Sequence, residues 1–424
     1  MKNWNEKGRF CSVHEGLIIK YYREKHNFTQ QQLCKGICSV AHMSRIERGT
    51  AHYSTEITQL LSERLGVNIG QEVLKFEELK ETLKQWHDTM IMQDREKTES
   101  YKQTLEHNEL LERSDLAFYY QLLQVRYLLT NRELKKARRL LTQIETKKHV
   151  LGEREAQLFL HMSGAYYLFT GDYSKALEYF KQIEPDLYRN NEFYYHLAIT
   201  CYRFGHYVKA YEYARTSLNY FKQANHFRKI IDAETLILLT QGGQIVQEDI
   251  EEMKKKYMNL MRSCDLFGEI EKKAILMGNL GQEYFLRSKN REANTYYRSA
   301  IDLFKQCPNP TYLTALFGYI HTSYLITDGR NQQQLNELVK EGMQLATRVG
   351  NDGDLMKFKL LTFLLKNQMH RYYSYLHESF IPYLRKSGNI TLATYYEKQL
   401  FKHYLAINEG EKASEVAFSY IQGS

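Results

Sequence analysis

Proline is nearly missing from this chain, with 4 residues in 424. Each proline inside a helix costs about 3 kcal/mol, so the scarcity excludes a polyproline chain and suits an almost wholly helical one. Cysteine is also sparse and scattered: Cys11, Cys34, Cys38, Cys201, Cys264 and Cys307. Cys34 and Cys38 are one helical turn apart, but no Cys/His set has zinc-finger spacing, so reduced thiols of a cytosolic protein are expected. No apolar run approaches the roughly 20 residues a membrane helix needs, and the first ten residues are polar and charged, without a signal-peptide pattern. A soluble, cytoplasmic protein with no membrane partner is expected. Phosphate loops, metal-ligand clusters and nucleophile–base motifs are missing too. The 15 histidines are dispersed, and His370 and His403 read as surface or core residues. No enzymatic activity, metal or cofactor is expected.

What the chain does have is tyrosine, 34 of them, and length enough for two or more units. Tyrosine suits repeated helix pairs, where the ring packs and the hydroxyl reaches water. It also suits a peptide-binding groove. The net charge is +8, and residues 1–70 carry ten Lys or Arg against six Asp or Glu. Half the excess thus lies in a sixth of the chain, compatible with phosphate binding.

The first seventy residues read as four or five short helices. HEGLIIKYYREKHN (14–27) is amphipathic, with Leu17, Ile18, Tyr21 and Tyr22 at helical spacing. Thr29 caps a short second helix, 30–36, with Gln32 in the capping-box position and Leu33 facing inward. Ser39 caps a third, 40–48, stopped by Gly49. Met43 and Ile46 point to the core and leave Ala41, His42, Ser44, Arg45 and Arg48 outside. A fourth, 55–65, sets Ile57, Leu60, Leu61 and Leu65 on one side. The tight turn between helices two and three makes a helix-turn-helix whose third helix enters a major groove.

The strings TQQQL (29–33) and SRIERG (44–49) resemble the Cro/phage-repressor (XRE) class of helix-turn-helix. That resemblance implies a phosphate contact from Gln30 and base reading by Val40, Ala41 and Arg45, with Ser39 and His42 alongside. Arg45 is the foremost reader, since its fork pairs bidentately with guanine, and Arg48 is a phosphate contact. Glu47 is expected to face back to the first helix, in an ion pair with Arg23.

The remaining 350 residues repeat. Gly171, Tyr173 and Ala176 recur 34 residues later as Gly205, Tyr207 and Ala210, which is the tetratricopeptide (TPR) period. A third copy holds Gly281, Tyr284, Ala293, Tyr297 and Ala300. Weaker copies surround Ala137 and Ala413, and about nine repeats are expected. The fold class is therefore all-α, an N-terminal helix-turn-helix followed by a right-handed TPR superhelix. The division is 1–70 for DNA binding, 71–112 for a charged linker helix and divergent first repeat, and 113–424 for repeats that bind peptide. Stacked pairs enclose a concave face lined by the first helix of each pair. The register turns Tyr119, Leu122 and Arg126 inward, then His161, Ala165 and Leu168, and then Tyr195, Ile199, Tyr202 and Arg203. Further along come Asn279, Gln282 and Phe285, and last Lys398 and Lys402. The cations favour an acidic residue or free carboxylate, and the amides suit an extended peptide backbone.

This head-plus-array resembles the peptide-pheromone receptors of Gram-positive bacteria (the RRNPP group), most like the neutral-protease regulators of the NprR type and the PlcR type. ICSVAHMSRIERG (37–49) is the most telling segment, and the Thr29–Met43 interval is one residue shorter than in phage repressors. The resemblance implies a quorum-sensing transcription regulator that binds a short signalling peptide and a palindromic double-stranded operator. It implies a homodimer or higher oligomer whose geometry the peptide alters. It also singles out Asn279 and Arg126 as peptide contacts. Two alternatives share the repeats: a protein that sequesters or dephosphorylates a response regulator, alone or as a second job, and a phage or mobile-element lysogeny regulator with a peptide ligand.

Overall fold

The computed structural model describes residues 15–422, except 52, 107, 109, 112–115, 189, 244–248, 308–310 and 328–331. Cys11 and His14 thus lie outside the described residues. Among these residues every regular element is a helix, and no helix is long and apolar enough to cross a membrane. The chain divides into two compact units, residues 1–162 and 163–424.

The first unit opens with α1 (Glu15–Lys25), α2 (Gln30–Cys34), α3 (Val40–Glu47) and α4 (Thr55–Leu65). Their common core is Ile18, Ile19, Leu33, Met43, Ile46 and Leu61, each at most 1% exposed. The next helix, α5 (Ile69–Met92), carries charge on most of its surface, yet Ile69 and Phe76 complete the core of the four-helix head. Tyr22 donates to Glu72 at 2.5 Å, and Lys75 pairs with the same carboxylate at 2.7 Å. Further along, Trp86 is 1% exposed and donates its indole N–H to the Thr98 carbonyl of α6 (Arg95–Leu105) at 3.0 Å. Its ring packs beside Tyr120 and Tyr127 of α7 (Ala117–Thr130). Then follow α8 (Leu134–Glu145), a 3-10 turn (Lys148–Val150) and α9 (Glu153–Thr170), within which the boundary between units falls.

The second unit continues with α10 (Tyr173–Lys181), a single turn α11 (Pro185–Tyr188), and the pairs α12 (Phe193–Arg203) with α13 (Tyr207–Gln223), α14 (Phe227–Gly243) with α15 (Ile250–Phe267), α16 (Ile270–Leu286) with α17 (Asn290–Phe304) and α18 (Tyr312–Thr327) with α19 (Gln332–Val349). After α20 (Asp352–Leu365) come α21 (Met369–Tyr375) and α22 (Ile381–Lys386), joined by a π turn (Leu376–Phe380). Pro382 lies just beyond that turn, and its missing N–H makes an uninterrupted α ladder impossible there. Last are α23 (Ile390–Ala406) and α24 (Gly410–Gln422).

Small residues set the spacing of these pairs. Ala176, Ala210 and Ala293 are fully buried. Gly281 and Gly318 flank the ring of Tyr297, where an added Cβ on either would press against it. A left-handed residue closes many of the hairpins, among them Arg132, Gly171, Gly205, Ser288, Asn367 and Asn408. Ion pairs link successive repeats: the buried Glu192 with Lys229 at 3.2 Å, and the half-buried Asp232 with Lys272.

The second unit also makes contacts far apart in sequence. Tyr207 and Thr391 share a hydrogen bond of 2.7 Å across 184 positions. Gly205 abuts Ile390, and a Cβ on Gly388 would meet the Arg203 carbonyl oxygen at 2.5 Å. Both glycines hold positive φ, +73° and +70°, so glycine is needed there for backbone conformation, and at Gly388 for room as well. Phe285 of α16 packs on Tyr395 of α23 with ring centroids 4.7 Å apart, and His321 of α18 stacks on Tyr396.

Candidate nucleic-acid interface and inner face of the repeats

In the head, sequence chemistry dictates the geometry of α2 and α3. Thr29 Oγ1 accepts from the Gln32 amide at 3.1 Å while Gln32 Oε1 accepts from the Thr29 amide at 2.8 Å, the reciprocal cap expected from a Thr and Gln at that interval. Ser39 Oγ accepts from the His42 amide at 3.2 Å and starts α3. Arg64 donates to the carbonyls of Leu33 and Lys35 and so closes the far end of α2. No local pattern in the sequence announces this contact from α4.

Met43 and Ile46 lie in the core at zero exposure. Ser39, Val40, Ala41, Arg45 and Arg48 are exposed, with His42 and Ser44 half-buried between them. Arg48 turns its Nε back onto the Ser44 carbonyl at 3.1 Å, which leaves its terminal nitrogens facing outward. The presented surface is thus two guanidinium groups, a small apolar step and a serine, suited to phosphate and to a base edge.

Glu47 is buried and faces α1. Arg23 grips it with Nε at 2.6 Å and Nη2 at 3.0 Å, and Gln30 donates its side-chain amide to the same carboxylate at 2.8 Å. The hydrogen bonds that Arg23 donates to Glu47 raise the pKa of its guanidinium above the ordinary value. Gln30 is therefore held by a carboxylate, and any phosphate contact from it uses its second amide hydrogen.

The inner residues fall into separate groups. In the first unit, Tyr119 is against His87 of α5 (Oη to Nδ1, 3.4 Å) and within electrostatic reach of Asp88, Glu155 and Arg126. Arg126 is 7% exposed, and His161 is fully buried, as is Leu122. Packing thus covers Arg126, His161 and Leu122. Ala165, in the second unit, is likewise buried, while Leu168 is half-buried.

In the second unit Tyr195 lies under the Lys229 ammonium, 5.0 Å from the ring centroid, and Arg203 lies over Tyr173 at 5.7 Å. Tyr202 packs beside Tyr207, and burial pushes its phenol up to about 12. Asn279 and Gln282 are half-buried on one face of α16, and neither amide is bonded to another described residue. Lys398 and Lys402 are exposed. They continue the stripe of α23 that holds Thr391 and Tyr395, since steps of four, three and four residues stay on one side of a helix.

Sequence reasoning missed Glu283. Its side chain is 5% exposed and paired with Arg287 at 2.6 Å, and its charge acts on the phenols of Tyr202, Tyr207, Tyr257 and Tyr297. The fully buried Tyr257 hydroxyl of that group has no hydrogen-bond partner among the described residues. A carboxylate beside a tetratricopeptide tyrosine carries no mark of burial in the sequence.

Residues 19–71 match the family model described as helix-turn-helix. The chain is 22% identical over 396 residues to the transcriptional activator NprA of Geobacillus stearothermophilus, covering 87% of this chain and 94% of that protein. Among solved structures it is similar to a Rap protein complexed with competence and sporulation factor (TM-score 0.70, 17% identity, 82% of this chain and 98% of that one). It is also similar to NprR in complex with its cognate peptide NprX (TM-score 0.66, 20% identity, 81% and 98%). The family model gives the head as a helix-turn-helix, and the solved structures show the all-helical fold of the repeats.

Proposed function

We propose that this chain is a cytoplasmic, DNA-binding transcription regulator whose repeats bind a short signalling peptide, and that it is not an enzyme. The observation that carries the reading is the outer face of α3, where Arg45 and Arg48 are exposed on a helix anchored from behind by Met43, Ile46 and the Arg23–Glu47 pair. A helix so fixed reads a major groove without reorganising. We assign residues 1–70 to this task, 71–112 to the linker and first repeat, and 113–424 to peptide binding and oligomerisation. In the second unit, Asn279 and Gln282 offer donors and acceptors to a peptide backbone, and Lys402 offers charge to a carboxylate. The operator is a palindrome bound by a dimer or higher oligomer, and peptide and operator favour one global state.

The test is a mobility-shift assay with duplexes from around the gene, comparing the natural chain with Arg45→Ala. Loss of an exposed guanine reader costs about 1–3 kcal/mol, and unchanged operator binding would sink the assignment. Calorimetry with synthetic peptides encoded beside the gene tests the repeats.

A further inference from the structure

Beyond the head, the first unit carries a second basic surface. Residues 132–154 hold eight Lys or Arg against three Glu, a net +5 in a chain whose whole charge is +8. The segment forms α8 and the turn after it. Ala137, Leu141 and Ile144 bury one face of α8, and Lys135, Arg139, Thr142, Gln143 and Thr146 stand exposed on the others. The whole stretch 145–150, with Lys147 and Lys148, is exposed as well. Lys136 is held by Glu133. Arg132, Lys135, Arg139, Lys147 and Lys148 are exposed, and none is paired with a carboxylate among the described residues. A shallow cleft between α7 and α8 adjoins them, lined by Gln121, Thr142, Gln143, Thr146 and Lys147.

Unpaired exposed cations repel one another, and folding gains nothing from gathering them. Resting on the DNA-binding reading above, we propose that this face of α8 and its following turn is a second DNA contact that grips the sugar–phosphate backbone outside the bases read by α3. Three features favour a duplex over an acidic protein surface. Charged residues crowd the patch and it holds no Phe, Tyr or Trp, the reverse of a protein-binding core. Neutral amides and hydroxyls stand among the cations, as in contacts to phosphate oxygens. The patch also shares one compact unit with α3. Ten residues of α5 separate Phe76, in the core of the head, from Trp86, against α7, about 15 Å of helix against about 34 Å for one turn of duplex.

The experiment titrates the full-length chain into a fluorescein-labelled 30-base-pair duplex of mixed sequence at a series of KCl concentrations. The natural chain is compared with the quadruple variant Lys135→Gln, Arg139→Gln, Lys147→Gln, Lys148→Gln, and with a variant in which the three lysines become arginine. All these side chains are exposed, and circular dichroism verifies that the variants fold. Each phosphate contact contributes about 0.9 to the slope of log affinity against log salt. We expect the quadruple variant to lose about 2 to 3 from that slope and at least tenfold in affinity at 0.1 M salt, and the arginine variant to keep both. An unchanged slope in the quadruple variant, with the natural chain binding the duplex, overturns the proposal. So does selective loss of binding to poly-L-glutamate with duplex binding intact, which would assign the face to an acidic protein. If the natural chain binds no duplex, the reading of the head fails first and this proposal with it.

Discussion

Arg23 and Glu47 meet through two hydrogen bonds, 2.6 and 3.0 Å, that join α1 to the last residue of α3. Their side chains are 12% and 4% exposed, and Gln30 adds a third bond to the same carboxylate. This charge pair thus helps fix the orientation of α3, together with Met43 and Ile46 in the core behind it.

Glu47→Ala should therefore loosen the head by about 3 kcal/mol, because the remaining guanidinium stays half-enclosed without its partner. Removing both partners, as Arg23→Met with Glu47→Leu, should restore most of that loss. Amide hydrogen exchange across α1 and α3 measures it. Equal protection in the single variant and the natural chain would contradict the role given to the pair.

The unbonded amides of Asn279 and Gln282 on α16 predict that Asn279→Ala weakens peptide binding about tenfold, the order of a lost hydrogen bond to a desolvated backbone, and leaves the melting temperature within a degree or two. Calorimetry against the peptide found for the natural chain decides the point. Full affinity in the variant would remove α16 from the peptide site.

Gly388→Ala should destabilise the second unit by about 2 kcal/mol or more. The substitution meets a left-handed φ of +70°, which side chains tolerate poorly, and it drives a Cβ against the Arg203 carbonyl. Gly350→Ala is the control, at φ +71° with open space around it. The difference between their melting temperatures isolates the contact from the backbone strain. No difference would mean that the 203–205 and 388–391 segments give way freely.

His321 is 4% exposed, between Phe285, Phe317 and Tyr396, with the Tyr396 hydroxyl 3.4 Å from Nδ1. Burial pushes its pKa down to about 4. The unfolded chain takes a proton at this residue below about 6.5, and the folded chain resists until about 4. The neutral ring's advantage is thus full above pH 6.5 and falls as pH drops towards 4, by about 3 kcal/mol over the window. His321→Phe should show a smaller fall in melting temperature between pH 7 and pH 4.5 than the natural chain. Parallel pH profiles would count against the buried neutral imidazole.

The head was largely legible because its rules are local. Thr29 with Gln32, Ser39 before an apolar step and Gly49 after Arg48 each act within four residues, and α4 runs over 55–65 as its pattern indicates. The part of the head contributed by α5 was not legible. EELKETLKQWHDTM reads as a solvated face, yet Phe76, Leu79, Leu83 and Trp86 form a buried stripe through it, and charge counts conceal such a stripe. In the repeats, the 34-residue period identified helices, but depth is decided by partners many repeats away. Phe285 is closed off by Tyr395, 110 positions on, and no repeat register contains that fact. The basic stretch at 132–154 was visible in the sequence only as one more degenerate repeat, since its meaning depends on which cations find carboxylates after folding.

The hydrogen bond between Tyr207 and Thr391 bears on how the second unit comes apart. Stacks whose members touch only their neighbours fray from the ends inward, one module at a time. Here a late module is fastened to an early one, so the terminal pair is no loose end. Denaturation should then be concerted over residues 193–406, and cutting away α23 should unsettle α12 and α13 before it disturbs the helices in between.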